Sequence, residues 1–460
     1  MRPYIKFQSY HTVWAWLFLA WTVCYIDRSL TGPVVSWMIQ NQVGFFADAP
    51  MEHALGGIIG SMFFAGYMLT QYPAGYLGDR YGRRWMVVIS TAWAAVTTFA
   101  SAFARSLTAF VALRVLTGLG EGAYYSNDRA IIDEITPKEK KGLAMGVVFI
   151  GLAMGLTIAT IAAPWIMDTA SMYLGDEIAW TVPFFLFTPI TLLVSLGMRR
   201  AFRPREEKGV SGWRPLISLL IIASVFLASI MSVFQMTLWL GWGGIEQSLA
   251  IVALALLLIY IVYRRMGKES APVLKDSRLV LMYVSAIPIL YTLWFFGYWA
   301  MLVVSESADM GLASSAVYAG LFGIASIVGY PLGGKLCDRA LERGQGRKVP
   351  YLMLVMASIL SSGDVNIVGL AIVLFAIGVL FSAMQTVHMT ITSDLAPKGM
   401  MGQAFGMWNL VAEMGALMSP VLSGALRDWT GSWFAPTVLT SGLLLVSLVL
   451  VAFVKVPRSS

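Results

Sequence analysis

Apolar runs long enough to cross a bilayer as helices, about 20 residues each, recur along the whole chain. They lie at 12–38, 54–77, 85–104, 108–131, 142–167, 179–198, 215–240, 247–263, 279–304, 312–336, 349–362, 366–392, 400–426 and 433–454. The run at 349–362 is short for a span. The pattern predicts fourteen transmembrane helices and no room for a sizeable soluble domain. Ahead of the first run, residues 1–11 are short and polar, and no small-residue cleavage site follows. The first run is therefore expected to be a retained span and not a leader.

The loops give the orientation, because cytoplasmic loops collect Lys and Arg. With the N-terminus inside and the spans alternating, the outside loops hold only Arg105 and Arg427 out of 32 basic residues. Arg28, Arg114 and Arg129 lie within spans, and all the others fall inside. Both termini are thus expected in the cytoplasm, and a bacterial inner membrane suits the short loops. The longest polar stretch, 199–214, is too short for a domain and reads as a cytoplasmic linker.

One segment recurs. Pro73-Ala-Gly75-Tyr-Leu-Gly-Asp79-Arg80-Tyr-Gly-Arg83-Arg84 ends the second run, and Pro331-Leu-Gly-Gly-Lys-Leu-Cys-Asp338-Arg339 ends the tenth. Both join a Gly-rich helix end to Asp-Arg and a basic loop. The distance between the copies exceeds six spans, and the runs at 215–240 and 247–263 fill the excess. The expected plan is all-helical, with a six-helix half over 1–200, linkers and two extra helices over 201–278, and a second six-helix half over 279–460. Parallel halves of this kind are a transporter architecture. An Asp near a neighbouring helix N-terminus is favoured by the helix dipole. Paired with arginines it forms a latch at one face; a solvated basic loop is the plainer alternative.

Composition narrows the function. The chain has 460 residues, of which 58% are hydrophobic and 12% charged, against roughly 25% charged in a soluble domain. A soluble enzyme, a disordered regulator and a nucleic-acid binder are excluded. The net charge of +7 is mostly topology. Cys24 and Cys337 are too few and too far apart for a disulfide framework. Gly329, Gly334 and Lys335 imitate a phosphate loop, but Leu336 stands where Ser or Thr is needed. No zinc, haem or Ser-His-Asp pattern is visible, so no metal and no cofactor is expected. The driving force would be a proton gradient.

Charges inside spans are costly and usually functional. Asp27-Arg28 sits near the middle of the first run; Arg114 and Glu121 lie seven residues apart, on one face of the fourth. Tyr124 and Tyr125 follow Glu121 by about one turn, and Asp128-Arg129 lies nearer the cytoplasm. Arg28, with Arg114, offers a guanidinium fork for a carboxylate. Asp27 and Glu121 are candidate proton carriers. The alternative is that Asp27–Arg28 and Arg114–Glu121 are ion pairs that only hold helices together. Tyr67, Gln71, Tyr124, Tyr291 and Trp294 are candidate substrate-binding residues of the cavity, with packing or lipid-interface aromatics as the plainer alternative. Weaker candidates are Gln385 and His388 at i and i+3, and Asn409 and Glu413 at i and i+4.

The Gly75–Arg84 segment resembles the signature loop of the major facilitator superfamily, and Gly334–Arg339 resembles a degraded second copy. Tyr25-Ile-Asp27-Arg28, Gly66-Tyr67 with Gln71 and Pro73, Arg114 with Glu121-Gly122, and Gly406-Met-Trp-Asn409 are similar to its anion:cation symporter branch, which carries hexonates, hexuronates and other organic acids. The resemblance implies that Arg28 contacts a substrate carboxylate, that Asp27 and Glu121 take up protons with Arg114 coupled to Glu121, and that Asn409 helps bind the substrate. It implies alternating-access symport of a small organic anion with protons, by a monomer in the bilayer. Gly118-Leu-Gly-Glu121-Gly122-Ala-Tyr124 is also close to the pattern of Spinster-like lysolipid transporters. Export of a lipid, amphiphile or drug therefore stays open, as does a non-transporting membrane sensor. The fifth run lacks the Gly-Pro of the drug antiporters.

Overall fold

The computed structural model describes residues 9–47, 49–137, 141–202, 213–266, 271–343, 367–397 and 400–455. The expected span at 349–362 and most of the linker at 199–214 lie outside them. All regular structure among the described residues is helical. The first run forms two helices, α1 (Ser9–Ser29) and α2 (Thr31–Asn41). They part at Leu30 because Pro33 has no N–H to give to the Ser29 carbonyl and its ring crowds that turn. The chain continues as α3 (Glu52–Tyr81), α4 (Arg83–Ser101), α5 (Leu107–Ile135), α6 (Lys141–Leu174) and α7 (Val182–Ala201). Then come α8 (Trp213–Trp239), α9 (Gly244–Met266), α10 (Ser277–Ala308), α11 (Leu312–Glu342), α12 (Ile367–Leu395), α13 (Met401–Thr430) and α14 (Phe434–Phe453). Among the described residues, nine stretches are long and apolar enough to cross a membrane. α5 is not one of them, since it carries Arg114, Glu121, Asp128 and Arg129.

Close backbone contact sets the position of α5 against α3. A Cβ on Gly118 would lie 2.0 Å from the Phe63 carbonyl oxygen, and one on Gly122 2.4 Å from that of Tyr67. Small residues let helices approach without a side chain between them. α5 is thereby fixed in rotation, and Glu121, one residue from Gly122, is turned toward α1. Ser106 begins α5 by accepting a hydrogen bond from the Ala109 N–H at 3.2 Å.

α8 and α9 lie along the outside of the bundle. Leu219 of α8 joins Ala74, Leu77 and Met86 of α3 and α4 in a small apolar cluster. Gly244, which opens α9, comes against Ile58 and Val421 of α3 and α13. Much of α8 is exposed and apolar, including Trp213, Ile221 and Val225, which is the surface expected to meet lipid acyl chains.

At the end remote from the start of α1, α3 is tied to α10 and α13. His53 Nδ1 is 2.6 Å from Asp428 Oδ1, and Nε2 is 3.0 Å from Glu306 Oε1. The Ala54 N–H donates to Asp428 Oδ2 at 2.8 Å. Arg427 and Trp433 both donate to Glu306 Oε2, at 2.6 and 3.0 Å. Beneath this cluster, a Cβ on Gly424 would lie 2.2 Å from the His53 carbonyl oxygen. Tyr298 donates to the Gly56 carbonyl at 2.6 Å. That end is shut by ion pairs and by backbone contact.

At the other end of α3, the tight turn into α4 is made by Gly82 at φ +102°, a backbone conformation that L side chains rarely adopt. Gly82→Ala is expected to lower unfolding stability by about 1–2 kcal/mol, read as a lower thermal midpoint of the purified protein. An unchanged midpoint would show that the turn relaxes freely.

Candidate functional site

The central feature is an ion pair between α1 and α5. Arg28 Nη2 lies 3.1 Å from Glu121 Oε2, and Nε donates to the same oxygen at 3.3 Å. Both side chains are buried. The other Glu121 oxygen, Oε1, has no hydrogen-bond partner. Aromatic rings surround the guanidinium. Its carbon is 4.1 Å from the Tyr67 ring centre, 4.6 Å from that of Tyr25 and 5.3 Å from that of Phe63. Such faces attract a cation by roughly 2 kcal/mol where water is excluded. Tyr25 sits one turn before Arg28 on α1, so helical spacing alone brings these two together.

Asp27 and Arg114 do not take the partners that the sequence suggested. Asp27 turns the other way, toward α7, and accepts from Thr191 Oγ1 at 3.2 Å; its Oδ1 has no hydrogen-bond partner. Neighbours in an α-helix point about 100° apart, so Asp27 and Arg28 cannot face the same helix. Arg114 donates to Ser101 at 2.5 Å and Thr31 at 3.3 Å, between the rings of Phe110 and Phe184. Glu121 is two turns away along α5 and is taken by Arg28. The hydrogen-bonded partner of Glu121 is thus Arg28, while Arg114 stays within electrostatic reach of both Asp27 and Glu121.

Beside the Arg28 pair lies a small cavity between the two sets of helices. Of the sequence candidates, Tyr67, Trp294, Gln385, Asn409 and Glu413 line it. Gln71 sits at its edge, where Asn409 Nδ2 donates to Gln71 Oε1 at 2.7 Å and so joins α3 to α13. Gln385 accepts from the Tyr330 hydroxyl at 3.0 Å. Glu413 is buried, and its Oε2 has no hydrogen-bond partner. Sequence reasoning missed Trp21, Tyr25, Tyr125, Phe149 and Trp408 in the lining. Trp21 and Tyr25 repeat at i and i+4 ahead of Arg28, which was a usable signal; Phe149, on an apolar helix, gave none.

Three further candidates also lie outside the lining. The Tyr124 hydroxyl donates to the Leu17 carbonyl at 3.2 Å and pins α5 to α1. Tyr291 meets Ser423 at 2.9 Å, on the side of α10 that packs on α13. His388 lies between Ser285 at 2.8 Å and Trp408, which donates to its Nδ1 at 3.1 Å. With both ring nitrogens engaged, it reads as a polar tie between α10, α12 and α13. In the latch segments, Gly75 lies at ordinary contact distance from Ser126. Arg80 and Arg339 are exposed, and Arg83 and Arg84 half-buried. The side chains of Asp79 and Asp338 lie outside those described.

An aromatic cavity with the Glu413 carboxylate in its wall and the Arg28–Glu121 pair behind Tyr25 and Tyr67 thus lies below an end closed by ion pairs. That arrangement can hold a small charged molecule away from water. A family model described as the Major Facilitator Superfamily matches residues 17–363 and 306–460. The chain is 23% identical to the D-galactonate transporter of Escherichia coli over 92% of its own length and 90% of that protein. It is 24% identical to the quinolone resistance transporter of Acinetobacter baumannii, over 96% of its own length and 93% of the other. The crystal structure of the peptide transporter POT in complex with sulfate matches the fold with a TM-score of 0.70 at 16% identity, over 96% of this chain and 93% of that one. With its helical bundle and its family match across nearly the whole length, the chain belongs to the major facilitator superfamily of membrane transporters.

Proposed function

We propose that this transporter carries a small organic anion together with a proton, by alternating access of two six-helix halves. The observation that carries this reading is the Arg28–Glu121 pair. Arg28 spends Nε and Nη2 on one carboxylate oxygen, and the other oxygen is unpartnered. A proton on Glu121 removes its charge and weakens its hold. The guanidinium is then free to take the carboxylate of an incoming substrate as a two-pronged fork. Charge-assisted bonds of this kind contribute about 1.5–3 kcal/mol each. Asn409, Gln71 and Gln385 would orient the hydroxyls of a sugar acid, in keeping with the D-galactonate transporter among the relatives.

In this reading the chain crosses the membrane fourteen times, as six, two and six helices, with both termini in the cytoplasm. The His53–Asp428–Glu306 cluster then closes the outer side. Those contacts must part when the cavity opens outward. The segments around Asp79 and Asp338 would latch the inner face.

A second reading, export of an amphiphile or drug, is favoured by the aromatic lining and by the similarity to the quinolone resistance transporter. Uptake assays separate the two. In proteoliposomes with an inward proton gradient, the Glu121→Gln variant is expected to lose accumulation of D-galactonate yet keep exchange of labelled for unlabelled substrate. Normal accumulation would remove Glu121 from the coupling. Arg28→Ala is expected to weaken D-galactonate binding roughly tenfold to a hundredfold, measured by titration calorimetry. Unchanged affinity would make Arg28 a structural residue, and binding of amphiphiles alone would favour export.

A further inference from the structure

The cavity wall carries a charge that a plain anion does not explain. Among the described residues, its lining holds one carboxylate, Glu413 of α13, and no basic side chain. Arg28 stands behind Tyr25 and Tyr67 and is already engaged by Glu121. Glu413 is 3% exposed, its Oε2 is unpartnered, and it lies within electrostatic reach of Arg28. Tyr125, Trp294 and Trp408 share the wall with it. A buried carboxylate among aromatic faces is the arrangement that recognises an ammonium group.

We propose that the substrate is a zwitterion, whose carboxylate goes to Arg28 and whose ammonium goes to Glu413 and the surrounding rings. The carboxylate half rests on the anion reading above; the ammonium half rests on Glu413 alone. Charge balance favours it. Asp27 has Arg114 as a nearby cation and Asp128 is paired with Arg129 at 3.5 Å, which leaves Arg28, Glu121 and Glu413. When Glu121 is protonated and a plain carboxylate binds Arg28, Glu413 must either stay charged without a partner, which is costly in a bilayer, or take up a second proton. A zwitterion in the same place pairs every charge. Its ammonium faces the open Oε2, and its carboxylate replaces that of Glu121 on Arg28.

The test compares ligands that differ by one group on the full-length purified protein. D-gluconate supplies the carboxylate, D-glucosaminate is the same acid with an ammonium in place of one hydroxyl, and D-glucosamine supplies the ammonium alone. Titration calorimetry on the wild type is expected to show D-glucosaminate binding at least about tenfold more tightly than D-gluconate. Glu413→Gln should abolish that preference by weakening D-glucosaminate, while D-gluconate binds as before or more tightly. D-gluconate binding as well as D-glucosaminate to the wild type would overturn the zwitterion and leave the anion reading standing, whether or not the variant folds. Binding of D-glucosamine alone, or of none of the three, would overturn both. Equal weakening of both acids in Glu413→Gln would also overturn the proposal.

Discussion

The structure turns on one buried ion pair. Arg28 and Glu121 meet where a lone charge costs several kcal/mol, so each is tolerable only beside the other. Removing one partner of such a pair typically costs about 3–5 kcal/mol. Much of the surrounding sequence serves that contact. Gly118 and Gly122 bring the α5 backbone onto α3 and fix the direction of Glu121. Tyr25, Phe63 and Tyr67 cover the guanidinium with π faces in place of water. A pair held in this way is stable at rest, and in the proposed cycle it is also the switch. One proton, or one competing carboxylate, would then undo the balance that holds α1 to α5.

The switch sits where movement at one residue reaches both ends of the molecule. Arg28 and Tyr25 belong to α1, and Tyr25 stacks on Trp294 of α10 at 6.1 Å. The Asn409–Gln71 bond joins α13 to α3 at the same cavity. Farther along α3, α10 and α13, His53, Glu306 and Asp428 close the end. Three of the helices that line the cavity, α3, α10 and α13, therefore also shut the far end. In the proposed cycle, binding at the centre would act on the closure through these three helices. α8 and α9 lie along the outside of the bundle, packed on α3 and α13.

Much of this was legible in the sequence, and the failures have physical causes. Apolar runs located the helices because every backbone polar group in a bilayer must be satisfied within its own helix. The break at Leu30 was hidden because the Gly32-Pro33 signal lies inside a continuous apolar run. Buried charges marked Arg28 and Glu121, but spacing along one helix cannot say which neighbour a side chain meets. Arg114 shares a face with Glu121 and acts on it only at a distance, whereas the hydrogen-bonded partner of Glu121 comes from α1. Tyr124 and Tyr291 looked like cavity residues, yet rotation of each helix gave their hydroxyls to Leu17 and Ser423. Trp408 and Phe149 were invisible as site residues, since an aromatic in an apolar helix looks the same whether it faces lipid, core or cavity.

The account's central claim is that a substrate carboxylate displaces Glu121 from Arg28 as Glu121 takes up a proton. Proton uptake on binding measures this directly. D-galactonate is added to the purified protein in weakly buffered solution with a pH-indicating dye. The account predicts alkalinisation that rises with occupancy and saturates with it, as protons leave the solution for buried carboxylates. Saturable binding with no change in pH would contradict it, because the Arg28–Glu121 pair would then have survived the arrival of the anion.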